Sequence, residues 1–296
     1  MALASAQPVQ GRSHAERGRR LVSIAQLAPT LVYFLVFYVG PLAVLLIISF
    51  LSFRDFQFVE PFTVDNYVSV ARSETFRILF VRTVLLAFLS ALLAVVIAYP
   101  FAHLITFVFP RRSRTLYFLV LVSLFGGYLV RIYAWRTILG IEGVVNGTLL
   151  TLGWITDPIR EILNSPFAVV VALVNFLIPL AVLPIYASMQ NVSPGLIEAA
   201  RDLGSSRLDI TRRIMLPLVL PGVRVAFAFC FIAAAGDFAI PALLGGVGSS
   251  FIANQIQFQI GQTANWPLAA AMAMTLIALV VAITAALTWA SRFLTR

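Results

Sequence analysis

Long uncharged stretches of apolar residues recur along the chain and determine its predicted architecture. Crossing the hydrocarbon core of a bilayer takes about 20 residues of α-helix. We predict transmembrane helices over residues 24–53, 79–108, 115–138, 166–187, 221–244 and 267–291. These stretches are too long and too uniformly apolar for the strands of a membrane barrel, which alternate over about 10 residues. The pattern therefore predicts an all-α membrane protein with six transmembrane helices.

The charged residues between these stretches predict the orientation of the helices. Six spans place both termini on one side of the membrane. With the N-terminus in the cytoplasm, 14 of the 21 arginines lie in cytoplasmic segments, whereas the outer segments carry 7 arginines and 7 acidic residues. An excess of basic residues is typical of cytoplasmic loops. We therefore predict a cytoplasmic tail over 1–20, a membrane domain over 21–291 with a cytoplasmic loop at 190–220, and a cytoplasmic tail over 292–296.

The composition excludes several classes of protein. The 296 residues are 60% hydrophobic and 11% charged, whereas a soluble domain is about a quarter charged. The chain has no lysine, which rules out a P-loop, a Schiff base and a kinase lysine, so any ATP must be bound by another chain. One cysteine and two distant histidines, His14 and His103, argue against a disulfide within the chain and against a metal site. We expect no catalytic and no metal-binding residues.

The net charge of +9 is spread over several cytoplasmic loops. Nucleic-acid binding needs basic residues gathered into one patch. The charge distribution therefore predicts contact with membrane lipid and no binding of nucleic acid.

The segment between the fourth and fifth spans predicts two short helices joined by a glycine. Ser193 and Pro194 favour a helix start, and Gly204 fits the left-handed position that ends a helix. Ser206, three residues before Asp209, predicts a capping box on a second helix. Four apolar residues of the first helix are spaced to share one face: Leu196, Ile197, Ala200 and Leu203. Such a loop suits a groove in a partner protein, although a solvated amphipathic loop has the same pattern.

We expect Pro217 and Pro221 to mark the start of the fifth span, because proline interrupts helical hydrogen bonding. The loop then ends at the inner face of the membrane.

The same loop resembles a known motif. Glu198-Ala199-Ala200, Gly204 three residues further on, and Leu216-Pro217 after Ile214 have the spacing of the EAA motif. That motif belongs to permease subunits of binding-protein-dependent ABC importers. Further segments are similar to the spermidine/putrescine permease branch, in particular to its B-type subunit: Val130–Trp135, Gly143–Asn146, Pro179 with Leu183-Pro184, Gly236-Asp237, Pro241, Leu243–Gly246 and Asn265–Ala271.

This resemblance implies a type I ABC importer permease fold in a multi-pass protein of the bacterial inner membrane. It implies four kinds of partner: a second permease subunit of the related C-type, two ATPase subunits that bind ATP and Mg²⁺, an extracytoplasmic solute-binding protein, and membrane lipid. The resemblance implies that Glu198 is the docking acid, which contacts the ATPase by its charge, and that Gly204 forms the turn. Ala199 and Ala200 would form the surface that the ATPase approaches closely. The remaining residues of the implied ATPase-coupling loop are Arg201, Asp202, Leu216 and Pro217.

One acidic residue, Asp237, lies well inside a predicted span. A charge in lipid costs about 3 kcal/mol on insertion scales, so such a residue usually faces a subunit interface or a water-filled path. We interpret Asp237 as a candidate path residue for a cationic polyamine, with Tyr128 and Trp135 adding cation–π attraction. Arg131 is the fourth candidate. The structural alternatives are an ion pair of Asp237 with Arg131 or Arg224, or a span end that is shallower than predicted. Arg131 could equally lie at the outer end of its span with its charged group reaching the interface.

Other functions stay open at this point. The substrate favoured by the resemblance is spermidine or putrescine, but related branches carry ferric iron, sulfate, molybdate, phosphonates or opines. A channel or an ATP-independent secondary transporter would not need the helix–glycine–helix loop. A membrane-embedded enzyme would need clustered acidic or histidine side chains at membrane depth, where the sequence has one aspartate.

Overall fold

The computed structural model of the protein describes residues 27–54, 57–59 and 62–293. The predicted N-terminal tail over 1–20 lies outside these ranges, as do residues 24–26 of the first predicted span and residues 294–296 of the C-terminal tail. The domain boundaries at both ends of the chain therefore stay predictions.

Helices make up most of the described structure, which confirms the predicted all-α class apart from one hairpin. Strands β1 (Ser52–Arg54) and β2 (Gln57–Val59) pair antiparallel, with Phe53 opposite Phe58. The helices are, in chain order, α1 (Leu27–Ser49), α2 (Asp65–Arg72), α3 (Glu74–His103), α4 (Ser113–Phe125), α5 (Tyr128–Leu139), α6 (Val144–Thr151), α7 (Pro166–Met189), α8 (Pro194–Asp202), α9 (Arg207–Ala235), α10 (Ala239–Leu244), α11 (Ile252–Gly261) and α12 (Trp266–Phe293).

Five helical segments of the described chain are long and apolar enough to cross a bilayer. They are Leu27–Ser49, Glu74–Val108, Pro166–Met189, Arg207–Ala235 and Trp266–Ala290. The segment Glu74–Val108 is α3 extended by a π-helical turn, Leu104–Val108. A sixth crossing is present if the bent pair Pro110–Phe125 and Tyr128–Thr151 acts as one span.

Three helices, α3, α7 and α9, pack on one another and form the centre of the molecule. Small residues allow this, because helices in lipid associate by close van der Waals packing. On α3 the fully buried small residues are Ala87, Ser90, Ala91, Ala94 and Ala98. On α9, Gly222 lies against α7 so closely that an added Cβ would be 2.5 Å from the Pro184 carbonyl oxygen and 2.4 Å from Ser188 Oγ.

The third predicted span, 115–138, is bent rather than straight. Helices α4 and α5 meet at an angle of 84°. The chain between them is Gly126-Gly127, whose ψ angles of 135° and 112° are extended. Two consecutive glycines have no Cβ to favour the helical conformation, so the helix breaks there. Arg131 Nη2 lies 3.3 Å from Ser123 Oγ and so joins the two arms of the bend.

The fifth predicted span, 221–244, begins earlier and is interrupted. Helix α9 starts at Arg207 and ends at Ala235, and residues 236–238 separate it from α10. Pro217 is the second residue of the regular α-helical part of α9, Leu216–Ala235, and Pro221 lies inside that part. The preceding turn, Ile210–Met215, is a π-helix, and its wider backbone accommodates a proline that lacks an N–H and crowds the carbonyl four residues back. Pro41 follows a π-helix, Leu35–Val39, in the same way.

Candidate functional site

The loop helix α8 ends in a Schellman motif. Gly204 has φ +85°, the Ser205 N–H donates to the Ala200 carbonyl at 3.0 Å, and the Gly204 N–H donates to the Arg201 carbonyl at 2.9 Å. These two bonds satisfy carbonyls that a helix end otherwise leaves unpaired. The predicted left-handed conformation of Gly204 is confirmed. Ser193 precedes the helix in an extended conformation, but its hydroxyl makes no capping hydrogen bond.

The start of α9 is held by Ser206. Its Oγ accepts a hydrogen bond from the Asp209 N–H at 3.2 Å and donates to Asp209 Oδ2 at 2.5 Å. The serine half of the predicted capping box is therefore present, while the carboxylate pairs with the hydroxyl. Local hydrogen bonds thus fix the backbone on both sides of Gly204, which makes the loop stiff.

A small apolar cluster fixes α8 to the membrane domain. Ala200 on α8 and Ile210 and Met215 on α9 are buried together. Phe107, in the π-helical turn after α3, packs against the same cluster. Helix α8 therefore packs against the start of α9 and the turn that follows α3.

The predicted apolar face of α8 is only partly buried. Ile197 and Ala200 contact the cluster, whereas Leu196 and Leu203 are 44% and 87% exposed. The helical periodicity does not extend to Leu203, because the helix ends at Asp202 and the chain reverses at Gly204. Ala200 packs inside, so of the two alanines implied to form the surface of close approach only Ala199 is exposed.

The outward side of the loop combines charge with exposed apolar groups. Glu198, Arg201 and Asp202 are exposed, and nearby Leu208 is 71% exposed. Within the part of the chain that the structure describes, Glu198 has no ion-pair partner. A cleft of about 510 Å³ separates α8 from the end of α3 and is lined by Glu198, Arg201, Arg207 and His103 among others. Exposed apolar side chains beside charged ones are typical of protein-binding surfaces. Leu216 and Pro217 are also exposed, beyond the π-helical turn.

The second candidate site lies around Asp237, in the break between α9 and α10. The Tyr128 hydroxyl donates a hydrogen bond to Asp237 Oδ2, and Asp237 Oδ1 accepts one from the Ile240 N–H at 3.0 Å. The residue is 9% exposed. The alternative of an ion pair with Arg131 or Arg224 is not formed in the described structure, because the carboxylate pairs with Tyr128.

The structure places three of the four predicted path residues around one crevice, and Tyr128 links that crevice to the fourth, Asp237. Tyr128, Arg131 and Trp135 lie three and four residues apart on α5, on one face of the helix. All three line a crevice that Ile240, three residues after Asp237, also lines. Its volume is about 10 Å³, which is at the limit for a single water molecule. The side chains around this crevice are therefore closely packed.

Two polar residues that sequence reasoning did not assign hold the outer segment in place. Thr83 of α3 is fully buried, and its Oγ accepts a hydrogen bond from the Ile252 N–H at 2.9 Å. Asn254 Oδ1 accepts from the Phe251 N–H at 2.9 Å, and its Nδ2 donates to the Phe238 carbonyl at 2.7 Å. These bonds fix the start of α11 and the residue after Asp237. The sequence offered one signal for Thr83, namely that it is a polar residue within an apolar run.

Comparison with known sequences identifies the family of the chain. Residues 9–296 match the family described as binding-protein-dependent transport system inner membrane component. The spermidine/putrescine transport system permease protein PotB of Escherichia coli K12 is 36% identical over 229 residues, which cover 77% of this chain and 82% of PotB. The protein of the same name from Haemophilus influenzae is 30% identical over 259 residues, 87% of this chain and 89% of that protein.

Solved structures show the same fold. A chain of a bacterial ABC transporter involved in alginate import superposes with a TM-score of 0.74 and 21% identity, covering 96% of this chain and 100% of that one. A chain of the MetNI methionine ABC transporter gives a TM-score of 0.55 and 24% identity, covering 76% of this chain and 100% of that one. The predicted fold, that of a type I ABC importer permease, is confirmed. The chain belongs to the family of inner-membrane components of binding-protein-dependent transport systems.

Proposed function

We propose that this chain is the permease subunit of an ATP-driven importer and forms half of the translocation path for a polyamine such as spermidine or putrescine. Two relatives that match most of the chain carry spermidine/putrescine transport in their names. A carboxylate at membrane depth, Asp237, supports a cationic solute and disfavours the anionic alternatives, sulfate and phosphonate.

ATP and Mg²⁺ would be bound by a separate ATPase subunit. The absence of lysine from the chain supports this, since a P-loop needs one. The loop around Glu198 would be the docking element. Its stiffness, its exposed apolar groups and its unpaired acid support that role.

The observation that carries the proposal is the continuity of α9. The helix contains 29 residues, so it is about 43 Å long. Its first turn begins three residues after Gly204, and Asp237 follows two residues after its last turn. The docking loop and the path carboxylate therefore flank one continuous helical segment.

The mechanism follows from this connection. Closing of two ATPase subunits on ATP would draw the two docking loops of a permease pair together. The apolar cluster at Ala200 would pass that movement to α3 and α9, and the break after Ala235 would change its arrangement. The result is an alternation between inward-facing and outward-facing states. A C-type permease would supply the other half of the path, and a solute-binding protein would deliver the polyamine from outside.

A charge reversal at the docking acid tests the proposal. The complex is reconstituted with both permease subunits, the ATPase and the binding protein, and radiolabelled spermidine uptake is measured together with ATP hydrolysis. Glu198→Lys should leave the protein in the membrane and abolish coupled uptake, while Glu142→Lys, at an exposed acid of the predicted outer side, should transport normally. Normal uptake per ATP in the Glu198 variant would refute the docking role.

A further inference from the structure

An apolar crevice opens near the first turns of α3, beside the first residue of α7. Its volume is about 420 Å³. The apolar lining residues are Ile78, Val81, Leu85, Leu86 and Pro166. Among the described residues that line it, two carry a charge, and both are arginines, Arg77 and Arg82.

Arg82 is a half-buried cation that lacks a counter-charge. Within the residues that the structure describes, its guanidinium has neither a hydrogen-bond nor an ion-pair partner. Arg77 lies 3.9 Å from Glu74, but both side chains are highly exposed, and such a pair contributes little. A cation among apolar walls is unfavourable without an anion. Among the described residues, the positive charge of Arg82 is therefore not balanced by an acidic side chain.

The start of α7 adds to the positive potential of the crevice. Pro166 is the first residue of this 24-residue helix, and the N-terminus of a helix carries a partial positive charge. The Ser165 side chain caps the first turn by accepting a hydrogen bond from the Ala168 N–H at 3.2 Å. Two guanidinium groups and one helix end thus converge on the same opening.

The crevice lies near the start of α3, where the uncharged apolar run of this helix begins. Arg82 is eight residues after Glu74, about 12 Å along the helix. The charge distribution places this end of α3 on the outer side of the membrane. Val81 and Leu85 are exposed on the same surface, as expected of side chains that contact lipid tails. A long arginine at this depth reaches toward the interface with its charged end.

We propose that this crevice binds a phospholipid of the outer leaflet. Its phosphate would lie between the guanidinium groups of Arg77 and Arg82, which can each form paired hydrogen bonds to phosphate oxygens. One acyl chain would lie along Val81, Leu85 and Pro166. None of the residues that line the crevice is a candidate path residue or belongs to the docking loop, so the proposal makes no use of the transported solute.

Lipid retention by the purified transport complex tests the proposal. The complex is delipidated in detergent, titrated with dioleoylphosphatidylglycerol or with dioleoylglycerol, which lacks the phosphate, and examined by native mass spectrometry. The wild-type complex should retain phosphatidylglycerol and not dioleoylglycerol. Arg82→Gln should weaken retention about fivefold, because a basic residue near an anionic lipid contributes about 1 kcal/mol.

Two further variants make the outcome specific. Arg72→Gln removes an exposed arginine at the end of α2 that does not line the crevice, and it should retain lipid like the wild type. Arg82→Lys keeps the charge but cannot form the paired hydrogen bonds of a guanidinium, so it should retain phosphatidylglycerol with intermediate strength. If Arg82→Gln does not fold, Arg82→Lys takes its place in the comparison with the wild type. Equal retention by the wild type, Arg82→Gln and Arg82→Lys would overturn the proposal. So would displacement of the lipid by inorganic phosphate, or a carboxylate of the second permease subunit occupying the crevice.

Discussion

The Tyr128 hydroxyl donates a hydrogen bond to the Asp237 carboxylate across 109 residues of sequence. Tyr128 is the first residue of α5, directly after the Gly126-Gly127 bend, and Asp237 lies in the break between α9 and α10. The bond therefore joins two interruptions of membrane helices. Interrupted helices form the substrate and ion sites of other membrane transporters. We infer that this pair is the place where the path opens.

Removing the charge of Asp237 should impair polyamine import. Asparagine has the same shape: its Oδ1 can still accept from the Ile240 N–H, and its Nδ2 can donate to the Tyr128 hydroxyl, which then becomes the acceptor. A hydrogen bond to a charged group contributes about 1.5–3 kcal/mol, so losing the charge should lower uptake at low substrate at least about tenfold. Uptake of radiolabelled spermidine by the reconstituted complex is the measurement. Unchanged uptake and unchanged substrate-stimulated ATP hydrolysis in Asp237→Asn would exclude Asp237 from the path.

Two tyrosine variants distinguish the role of the Asp237 charge from that of its hydrogen bond with Tyr128. Tyr128→Phe keeps the carboxylate but removes one of its donors, so thermal stability should fall while polyamine selectivity is retained. Tyr133→Phe, on the same helix with its side chain 54% exposed, should alter neither property.

Because α9 packs closely on α7, one methyl group added at Gly222 should lower the thermal stability of the protein. In Gly222→Ala the new Cβ would lie 2.4 Å from Ser188 Oγ and 2.5 Å from the Pro184 carbonyl oxygen, so the helices must move apart. Overpacking of this kind destabilises by about 1–3 kcal/mol. The control is Gly147→Ala, where nothing lies within 4 Å of the new atom and alanine favours the helix. Thermal unfolding in detergent should show a lower midpoint for the first variant and an equal or higher one for the second. Equal midpoints for Gly222→Ala and the wild type would mean that the helices do not pack as described.

Local signals in the sequence were sufficient to predict the backbone geometry around Gly204 in the docking loop. Gly204 and Ser206 act on backbone groups only a few residues away, so the pattern predicted their roles correctly. The same reasoning failed for Leu203, because the periodicity of α8 does not indicate where the helix stops. It also gave no indication of the π-helical turn, Ile210–Met215, that precedes Pro217.

Contacts between distant segments could not be predicted from the sequence. The aspartate inside a predicted span was visible, but Tyr128 was expected to contact a polyamine, and an arginine was the alternative partner for the carboxylate; the bond between Tyr128 and Asp237 was not predicted. The 84° bend was hidden within an apolar run, because Gly126-Gly127 is compatible with either a straight or a broken span. Thr83 looked like an ordinary polar residue of a membrane helix, since nothing in its surroundings points to the amide of Ile252.

The buried hydroxyl of Thr83 should be required for order at the start of α11. Thr83→Val leaves the Ile252 N–H without its acceptor, and a buried unpaired donor costs about 1–3 kcal/mol. Hydrogen–deuterium exchange of the Phe251–Asn254 amides should become faster. Thr106→Val is the control, because the hydroxyl of Thr106 donates only within its own helix, to the Ala102 carbonyl at 2.8 Å. Unchanged exchange at Ile252 in Thr83→Val would contradict the assigned contact.

The central claim is that the loop around Glu198 faces the cytoplasm and is held there by a separate ATPase. The single cysteine, Cys230, is buried, so Leu203→Cys places one accessible thiol on the tip of the loop. Labelling with a membrane-impermeant maleimide is measured in intact cells and in inside-out vesicles, with and without the ATPase subunits. We predict labelling only in the inside-out vesicles, and protection when the ATPase is bound. Labelling in intact cells, or labelling that the ATPase leaves unchanged, would contradict the claim.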